Sequence, residues 1–311
     1  MPIPDIEKLC KWHYDWKEVD RFVGSLRRPM FATAAKPLQD TGKGKTVLLH
    51  KNLVAVRGSW PYYVQTIGDC VGHGYARAAM VLAATEIVLG ERERYAGDIA
   101  SEDQYAGGRV EIGGGRLGNS DGSVGAWSAR YITEYGTLLR QKYGSIDLTR
   151  YSGQRARDWG RRGAGVPDEL EPSARQHPVR TVSLVSSYEE ARDAIANGYP
   201  VPVCSAQGFS DKRDSQGFAR PSGTWYHCML FVAVDDTGER PGLLCDNSSW
   251  GPDWISGPKR HDQPDGTFWV DAETADRMLR RDPDSYSLSG FEGYPDNSDK
   301  LTRQDFLNVW R

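Results

Sequence analysis

Along residues 5–26, apolar side chains recur at alternating steps of three and four, with charged residues between them. This spacing places the apolar residues on one face of a helix, so the sequence predicts a single amphipathic helix here. We expect that face to pack on the rest of the chain; docking on a partner and covering an active site are the alternatives. The face consists of Leu9, Trp12, Trp16, Val19, Val23 and Leu26.

Three further helices are predicted from periodicity and end signals. An alanine-rich segment begins at Cys70 and stops at Gly90, which suits a helix C-cap, and its many alanines indicate close packing on every side. A short helix is expected over residues 126–135. Another is expected over residues 186–197, where serines and early glutamates open it and Asn197-Gly198 ends it.

The other segments lack helical periodicity. Residues 27–58 are basic and glycine-punctuated and predict an extended connector, residues 107–125 are dense in glycine and predict a loop, and the polar residues 150–178 predict a surface excursion. Short apolar runs rich in β-formers then predict strands. Because helices precede antiparallel strands, the pattern indicates an α+β fold with two segregated lobes. The runs cover residues 201–204, 228–234, 243–245 and 267–270.

Composition excludes several classes of protein. The chain has 311 residues and a formal charge of -3, with no long run of one sign, so neither nucleic acid nor a membrane is expected as a partner. Five cysteines without a CxxC pair disfavour a disulfide framework or a zinc ribbon. We find no pattern of a signal peptide and no apolar stretch long enough for a membrane span, which predicts a cytoplasmic or virion-associated protein.

One short turn carries the clearest chemical signal. Residues 65–72 read QTIGDCVG, so Cys70 opens the alanine-rich helix. Unpaired N–H groups and the helix dipole stabilise negative charge at that position, which favours the thiolate and predicts a nucleophile near neutral pH.

Two later residues are candidate partners of this thiol. His227 precedes the apolar run 228–234, and Asn247 follows the next predicted strand. We expect Asn247 to accept the Nδ1 proton of the imidazole, so that Nε2 faces the thiolate. On spacing alone, a cysteine with a distant histidine and asparagine fits many globular chains by chance.

The flanking residues resemble the papain-like cysteine peptidases over about residues 58–272. In that family a glutamine precedes a glycine-containing turn and the catalytic cysteine opens a central helix, as Gln65, Gly68 and Cys70 do here. His227 occupies the position of the family's histidine. Further blocks match in the family's order, at residues 100–104, 121–129, 134–137, 197–203, 247–251 and 266–270.

This resemblance implies a two-lobe fold, with the catalytic helix in a helical left lobe and an antiparallel, barrel-like right lobe. It implies a peptidase or amidase that needs no cofactor and acts on a peptide or protein substrate. Cys70, His227 and Asn247 would be catalytic, and Gln65 would help to form the oxyanion hole. Gly122 and Ser123 would bind the substrate backbone, and Trp250 would cover the His-Asn pair. The implied divisions are an N-terminal helix and connector at 1–57, the papain-like domain at 58–281 and a tail at 282–311.

Two spacings depart from the family. The turn from Gln65 to Cys70 is one residue short, which leaves open whether Gln65 reaches the oxyanion. The family's Asn-Ser-Trp-Gly is stretched by one serine, so either Asn247 or Ser248 orients the histidine. We favour Asn247, because an amide oxygen is the better acceptor at that reach. Residues 1–57 are short and unlike the family's helical pro-segment.

Other residues are weaker candidates. His73 shares a helical face with Cys70 and is expected to pack within the helix layer, and Asp69 is expected to face solvent because an inward carboxylate would raise the thiol pKa. His261, Asp262 and Asp265 predict a solvated turn rather than a metal site. Asp235-Asp236 is expected to be a turn, and Cys204, Cys228 and Cys245 are expected to be core thiols.

Two functions of other kinds remain open. A papain-like fold could serve as a structural component of a phage particle or another assembly, with residues 5–26 docking on the partner. A catalytic cysteine could instead act on cell-wall peptides.

Overall fold

The computed structural model describes residues 5–26, 30–31, 41–90 and 94–291. Its helices are α1 (Ile6–Leu9), α2 (Trp16–Ser25), α3 (Leu49–Arg57), α4 (Cys70–Val88), α5 (Ser101–Gly107), α6 (Gly125–Glu134), α7 (Gly153–Trp159), α8 (Glu171–Ala174), α9 (Tyr188–Ala196) and α10 (Ala272–Arg281). Its strands are β1 (Thr46–Leu48), β2 (Lys142–Tyr143), β3 (Ile146–Asp147), β4 (Val179–Leu184), β5 (Val201–Arg213), β6 (Ala219–Asp235), β7 (Gly242–Asp246), β8 (Thr267–Asp271) and β9 (Tyr286–Phe291).

The alanine-rich helix α4 is the centre of the helical lobe. Every residue from Cys70 to Glu86 is buried, as the predicted packing on all sides requires. Helices α3 and α5 pack on it, and strand β6 packs on it from the second lobe. Small side chains permit this approach: a Cβ on Gly72 would lie 2.8 Å from the Tyr105 side chain. The helix therefore spans the junction between the lobes.

The second lobe is an antiparallel sheet. Its strands follow the order β1-β6-β7-β8, and β5 also pairs with the long strand β6. All four predicted apolar runs lie in these strands, with Cys204 opposite Cys228 and Leu244 opposite Trp269. The two-lobe α+β fold is confirmed, but no closed barrel forms among the described residues. Within the same residues, no helix is long and apolar enough to cross a membrane.

The single helix predicted over residues 5–26 is wrong. It is two helices, α1 and α2, separated by extended chain. Asp5 caps the first helix through Lys8 N–H, and Asp15 caps the second by accepting from the N–H groups of Lys17 and Glu18. Each aspartate satisfies N–H groups that a continuous helix would have paired internally, so the second cap restarts the helix.

Three other segments contain more structure than predicted. In the connector 27–58, residues 46–57 form β1, which pairs with β6, and α3. The glycine-dense loop begins with a π-helical turn, Gly108–Ile112. The polar excursion 150–178 contains α7 and α8, which bury Ala156 and Ala174 against the helical lobe. The structure of these segments depends on long-range strand pairing and burial, which local composition does not reveal.

The predicted tail also contributes to the fold. Residues Tyr286–Phe291 form β9, which pairs antiparallel with β4, and Tyr286 and Leu288 are buried. The part of the predicted tail at residues 292–311 lies outside the described residues.

Candidate active site

Cys70 is the first residue of α4, where the sequence places it. Asp69 precedes it as the N-cap residue but makes no side-chain cap. The Asp69 carboxylate instead accepts a hydrogen bond from the Tyr151 hydroxyl at 2.9 Å and lies 3.5 Å from His73 Nε2. Asp69 is fully buried, so the expectation that it faces solvent is wrong. The Tyr151 hydroxyl and the His73 imidazole contact the carboxylate in place of the water that would solvate it at the surface.

The Cys70 sulphur is fully enclosed. The backbone N–H groups of Lys11 and of Cys228, the residue after His227, donate hydrogen bonds to it. Burial nevertheless raises the pKa of the thiol to about 12. The expected thiolate is therefore absent in this conformation, because loss of water outweighs the helix terminus and the two N–H donors.

His227 and Asn247 form the pair that the sequence predicts, but through the other ring nitrogen. His227 Nε2 is 2.8 Å from Asn247 Oδ1, while Nδ1 is buried and has no hydrogen-bond partner in the described residues. The expectation that Nδ1 bonds to Asn247 is wrong, because the position of His227 on β6 turns Nε2 of the ring towards the asparagine. Burial lowers the pKa of His227 to about 4, against the opposing effect of the hydrogen bond to Asn247.

Trp250 and Trp225 pack on the His227 ring, and Trp254 packs behind them. The Trp250 ring lies over the His227 ring with a centroid distance of 5.0 Å, and the resemblance to the papain-like family implies a tryptophan there. Trp225 packs on Trp250 at 4.8 Å, and Trp254 packs on Trp250 at 5.3 Å. Sequence analysis did not single out Trp225 or Trp254. Their positions on separate segments give no local signal of this cluster.

Gln65 is buried in the turn before Cys70, and both ends of its amide form hydrogen bonds. Its Nε2 donates to the carbonyls of Leu9 (3.0 Å) and Ile67 (2.9 Å). Its Oε1 accepts from the Ser249 hydroxyl at 3.2 Å. Ser248 bonds elsewhere, accepting from Trp60 Nε1 and Arg77 Nη1, both at 3.0 Å. Asn247, not Ser248, is therefore the residue that contacts the histidine.

Residues 9–13, which we name the strap, occupy this cleft. Lys11 and His13 form backbone hydrogen bonds to Ser123: the Ser123 N–H donates to the Lys11 carbonyl (3.2 Å) and the His13 N–H donates to the Ser123 carbonyl (2.9 Å). The strap runs parallel to the chain at Ser123. On the opposite side, the Trp12 N–H donates to the Tyr226 carbonyl at 2.8 Å.

Two glycines make room for the strap. A Cβ on Gly122 would lie 2.4 Å from the Lys11 carbonyl oxygen, and one on Gly68 would lie 2.3 Å from Lys11 Cγ. Gly122 also has φ 114°, a backbone conformation that side chains disfavour. Ser123 therefore pairs with the backbone of the strap, and Gly122 permits the close approach; binding of a substrate backbone by these two residues stays a prediction.

Trp12 anchors the strap in the body of the protein. Its side chain is buried, and Nε1 donates to Asp284 Oδ2 at 2.8 Å. Asp284 is fully buried and also accepts from the N–H groups of Gly125 and Ala126, each at 2.7 Å. Burial raises the pKa of Asp284 to about 7 despite these donors. Sequence analysis missed Asp284, since only the tertiary fold brings it to residue 12.

The weaker candidates lie in structural contacts. His73 is buried between Asp69 and the Tyr151 ring. His261 bonds to Asp235 at 2.9 Å rather than to its neighbour Asp262. Asp235 ends β6 and is buried, accepting also from Thr46 and Thr237. Every described cysteine is buried and free of disulfides.

Comparison with known proteins supports the fold through structure alone. No protein-family model matches the chain, and no curated protein matches it. Among solved structures, xylellain, a cysteine protease from Xylella fastidiosa, superposes with a TM-score of 0.51 and 15% identity over 93% of this chain and 94% of that one. Procathepsin B S9 from Trypanosoma congolense gives 0.56 and 12% over 93% and 89%. The chain has the papain-like fold.

A third papain-like structure agrees. The digestive procathepsin L2 proteinase of Tenebrio molitor superposes with a TM-score of 0.53 and 13% identity over 86% of this chain and 75% of that one. At these identities the comparison gives the architecture, and the roles of individual side chains in this papain-like chain rest on the geometry above.

Proposed function

We propose that the protein is a cysteine peptidase or amidase in which Cys70 is the nucleophile. His227 Nδ1 takes the thiol proton, and the sulphur attacks the carbonyl carbon of the substrate. The Gln65 amide donates to the oxyanion that forms, an interaction worth about 3 kcal/mol in the barrier when well placed. His227 then returns the proton to the leaving amine, and water hydrolyses the thioester. Asn247 holds the imidazole throughout.

The single observation that carries this proposal is the convergence of three groups on the strap. Gln65 Nε2 donates to the Leu9 carbonyl, the Ser123 backbone pairs with Lys11 and His13, and the Cys70 sulphur accepts from the Lys11 N–H. These are an amide donor for a carbonyl oxygen, a backbone edge for an extended peptide and a nucleophile beside both. An extended peptide already lies where a substrate would bind.

The strap also supports the proposal that the enzyme is latent, with its active site blocked by its own chain. It encloses the thiol, and the raised pKa of Cys70 with the lowered pKa of His227 leaves both groups neutral at pH 7. The strap presents the Lys11 N–H to the sulphur, while the Lys11 carbonyl accepts from the Ser123 N–H. A donor gives the nucleophile nothing to attack, so the strap blocks the site without being a substrate. In this proposal residues 9–13 cover the active site, one of the alternatives for residues 5–26, while α2 packs on its own chain as expected.

Selective alkylation tests the proposal. We expect iodoacetamide to react slowly with Cys70 in the wild-type protein and at least about tenfold faster in Trp12→Ala, because loss of a buried tryptophan costs several kcal/mol and weakens strap binding. The adduct is located by peptide mass spectrometry between pH 5 and 9. Cys10→Ser in both backgrounds removes the thiol within the strap from the measurement.

Trp16→Ala is the matched control, since Trp16 lies four residues away and its side chain is 61% exposed. It should leave the alkylation rate unchanged. Hydrolysis of a fluorogenic peptide library by Trp12→Ala, lost in Cys70→Ala, then establishes the activity. If Cys70 in Trp12→Ala reacts no faster than a simple thiol at any pH, the peptidase proposal fails.

The assembly function is less favoured, because the side of α2 that carries Val19 and Phe22 is buried against the chain itself, although Trp16 of the predicted face is exposed. Phe22 packs on Tyr286 with a centroid distance of 5.5 Å, and Glu18 accepts from Trp127 Nε1 at 2.9 Å. Action on cell-wall peptides, a phage origin and the location of the protein remain predictions.

A further inference from the structure

The backbone edge that pairs with the strap is supported from behind by side chains rather than by a strand. At Ser123, the N–H and the carbonyl both bond to the strap. The backbone of the preceding residue, Gly122, bonds instead to side chains of the helical lobe. In a sheet, a neighbouring strand would satisfy such groups. Among the described residues, the bridge at Ser123 is isolated and no strand pairs with Gly122.

Tyr105 and Arg109 supply what a neighbouring strand would. The Gly122 N–H donates to the Tyr105 hydroxyl at 3.2 Å, and the Gly122 carbonyl accepts from Arg109 Nη1. The two side chains leave the same face, because they lie four residues apart where α5 continues into the π-helical turn. The guanidinium lies over the Tyr105 ring, 5.0 Å from its centroid. The pair therefore offers Gly122 one acceptor and one donor.

Arg109 also fixes the loop that leads to this edge. Its Nη2 donates to the carbonyls of Gly118 (3.1 Å) and Ser120 (2.6 Å), and its Nε donates to the carbonyl of Gly160 (2.9 Å), the residue after α7. The side chain is buried, and a buried guanidinium needs such partners because it has lost its water. One rigid, planar group thus binds every second carbonyl from Gly118 to Gly122.

We infer that Arg109 is a positioning residue, which together with Tyr105 holds the Ser123 edge in place to bind an extended peptide backbone. The strap is the peptide that binds there in the closed protein, and binding of a substrate in its place rests on the proposed function. The partners of Arg109 are loop carbonyls and a ring behind the edge, not Cys70 or His227. We therefore expect Arg109 to affect peptide binding and not the reactivity of the thiol.

The strap allows a test that needs no catalysis. The full-length protein carries Cys10→Ser and keeps Trp12. In this background, Arg109→Met should raise the rate of Cys70 alkylation by about five- to tenfold, because a weakened edge releases the strap more often. Tyr105→Phe removes only the acceptor and should raise the rate by about two- to threefold. Peptide mass spectrometry also follows the buried core thiols Cys204 and Cys245, which stay unmodified unless the protein unfolds.

The chain offers a matched control for each substitution. Arg213 is buried like Arg109, and its guanidinium also donates to backbone carbonyls, but these lie in the sheet lobe. The Tyr143 hydroxyl accepts from the Leu139 N–H at 2.9 Å, as the Tyr105 hydroxyl does from Gly122. Arg213→Met and Tyr143→Phe should leave the rate of Cys70 alkylation unchanged.

A different response is expected once the strap is open. In the Trp12→Ala protein, Arg109→Met should raise KM for the fluorogenic peptide by about tenfold and change kcat by less than about threefold. The rate of Cys70 alkylation should equal that of the Trp12→Ala parent. The same substitution would thus speed alkylation of the closed protein only.

Three results would overturn the inference. They are an unchanged alkylation rate of the closed protein in both Arg109→Met and Tyr105→Phe, an equal rise in Arg213→Met, and an unchanged KM in the open protein. Failure of the proposed function gives a different result. If the Trp12→Ala parent hydrolyses no peptide while Arg109→Met still speeds alkylation of the closed protein, the peptidase proposal fails and the support of the edge stands.

Discussion

The two sides of the cleft are built differently. On the sheet side, His227 bonds to Asn247 and is enclosed by Trp250, so the pair is held by its own lobe. On the helix side, Cys70 and Gln65 each bond to a residue of the strap. Under the proposed function, this contrast would leave the proton-handling half complete while the strap is bound, and the proposed nucleophile and oxyanion donor would become free only when the strap leaves.

Removal of His227 should have the largest effect. In a Trp12→Ala background, His227→Ala should lower peptide hydrolysis by about 10²- to 10⁴-fold, the usual contribution of a general acid-base residue. It should also abolish fast alkylation of Cys70 at pH 6, since no imidazole remains to take the thiol proton. The rates are measured by product fluorescence and adduct mass.

His50→Ala is the control for loss of a buried histidine. Burial also lowers the pKa of His50 to about 4, but His50 bonds to the His261 carbonyl and not to the cleft residues. Unchanged hydrolysis in His227→Ala, or an equal loss in His50→Ala, would contradict the assigned role.

Acid should destabilise the closed protein through the sheet side. The pKa of His227 is about 4 when folded and 6.5 in its ordinary state, so the unfolded or opened protein binds more protons between these values. Stability therefore falls as pH drops from 6.5 towards 4, by at most about 3 kcal/mol. Urea unfolding and proteolysis within the strap should both become easier over that interval.

His227→Gln should remove about half of this dependence in urea unfolding, because glutamine does not titrate while His50, with a similarly lowered pKa, still does. His50→Gln should remove the other half but leave proteolysis within the strap as pH-dependent as before. An unchanged slope in His227→Gln would contradict the lowered pKa of His227.

Asp235 should affect stability without affecting the site. Burial alone would raise its pKa, but hydrogen bonds from Thr237 and His261 lower it to about 2. This depressed pKa contributes about 2 kcal/mol above pH 4, which is lost as pH falls from 4 towards 2. Asp235→Asn should lower the unfolding free energy at neutral pH by a similar amount.

The Cys70 alkylation rate is measured in the Trp12→Ala protein with and without Asp235→Asn. Asp235→Asn should not change this rate at temperatures where the protein stays folded. A changed alkylation rate would show that the far end of β6 is coupled to the cleft.

A peptide version of the strap should show the smallest effect. A synthetic peptide of residues 5–15 should inhibit the Trp12→Ala protein. The same peptide with alanine at position 12 should be at least about tenfold weaker, a difference of 1.4 kcal/mol. Inhibition constants from the fluorogenic assay decide this. Equal potency of the two peptides would remove Trp12 as the anchor.

Sequence patterns predicted what depends on local signals. The alanine-rich helix, the cysteine at its start and the strands around His227 and Asn247 follow from periodicity and neighbouring residues. The break in residues 5–26 did not, because Trp12 keeps helical spacing while its side chain is buried against Asp284.

The electrostatics of the site could not be predicted in the same way. A thiol at a helix terminus favours ionisation by local physics, yet burial beneath a segment about sixty residues earlier in the chain raises the Cys70 pKa to about 12. Likewise, the nitrogen that His227 offers to Asn247 depends on the path of β6 rather than on residue spacing.

The strap belongs to the same chain as the cleft, and this has a kinetic consequence. Its local concentration is fixed by the tether, on the order of millimolar for a short connection, and does not fall when the protein is diluted. A free substrate would have to exceed that concentration, weighted by relative affinity, to displace it. Under the proposed function, release would therefore depend on an event that alters the tether or the Trp12 anchor, and substrate abundance alone would be a poor trigger.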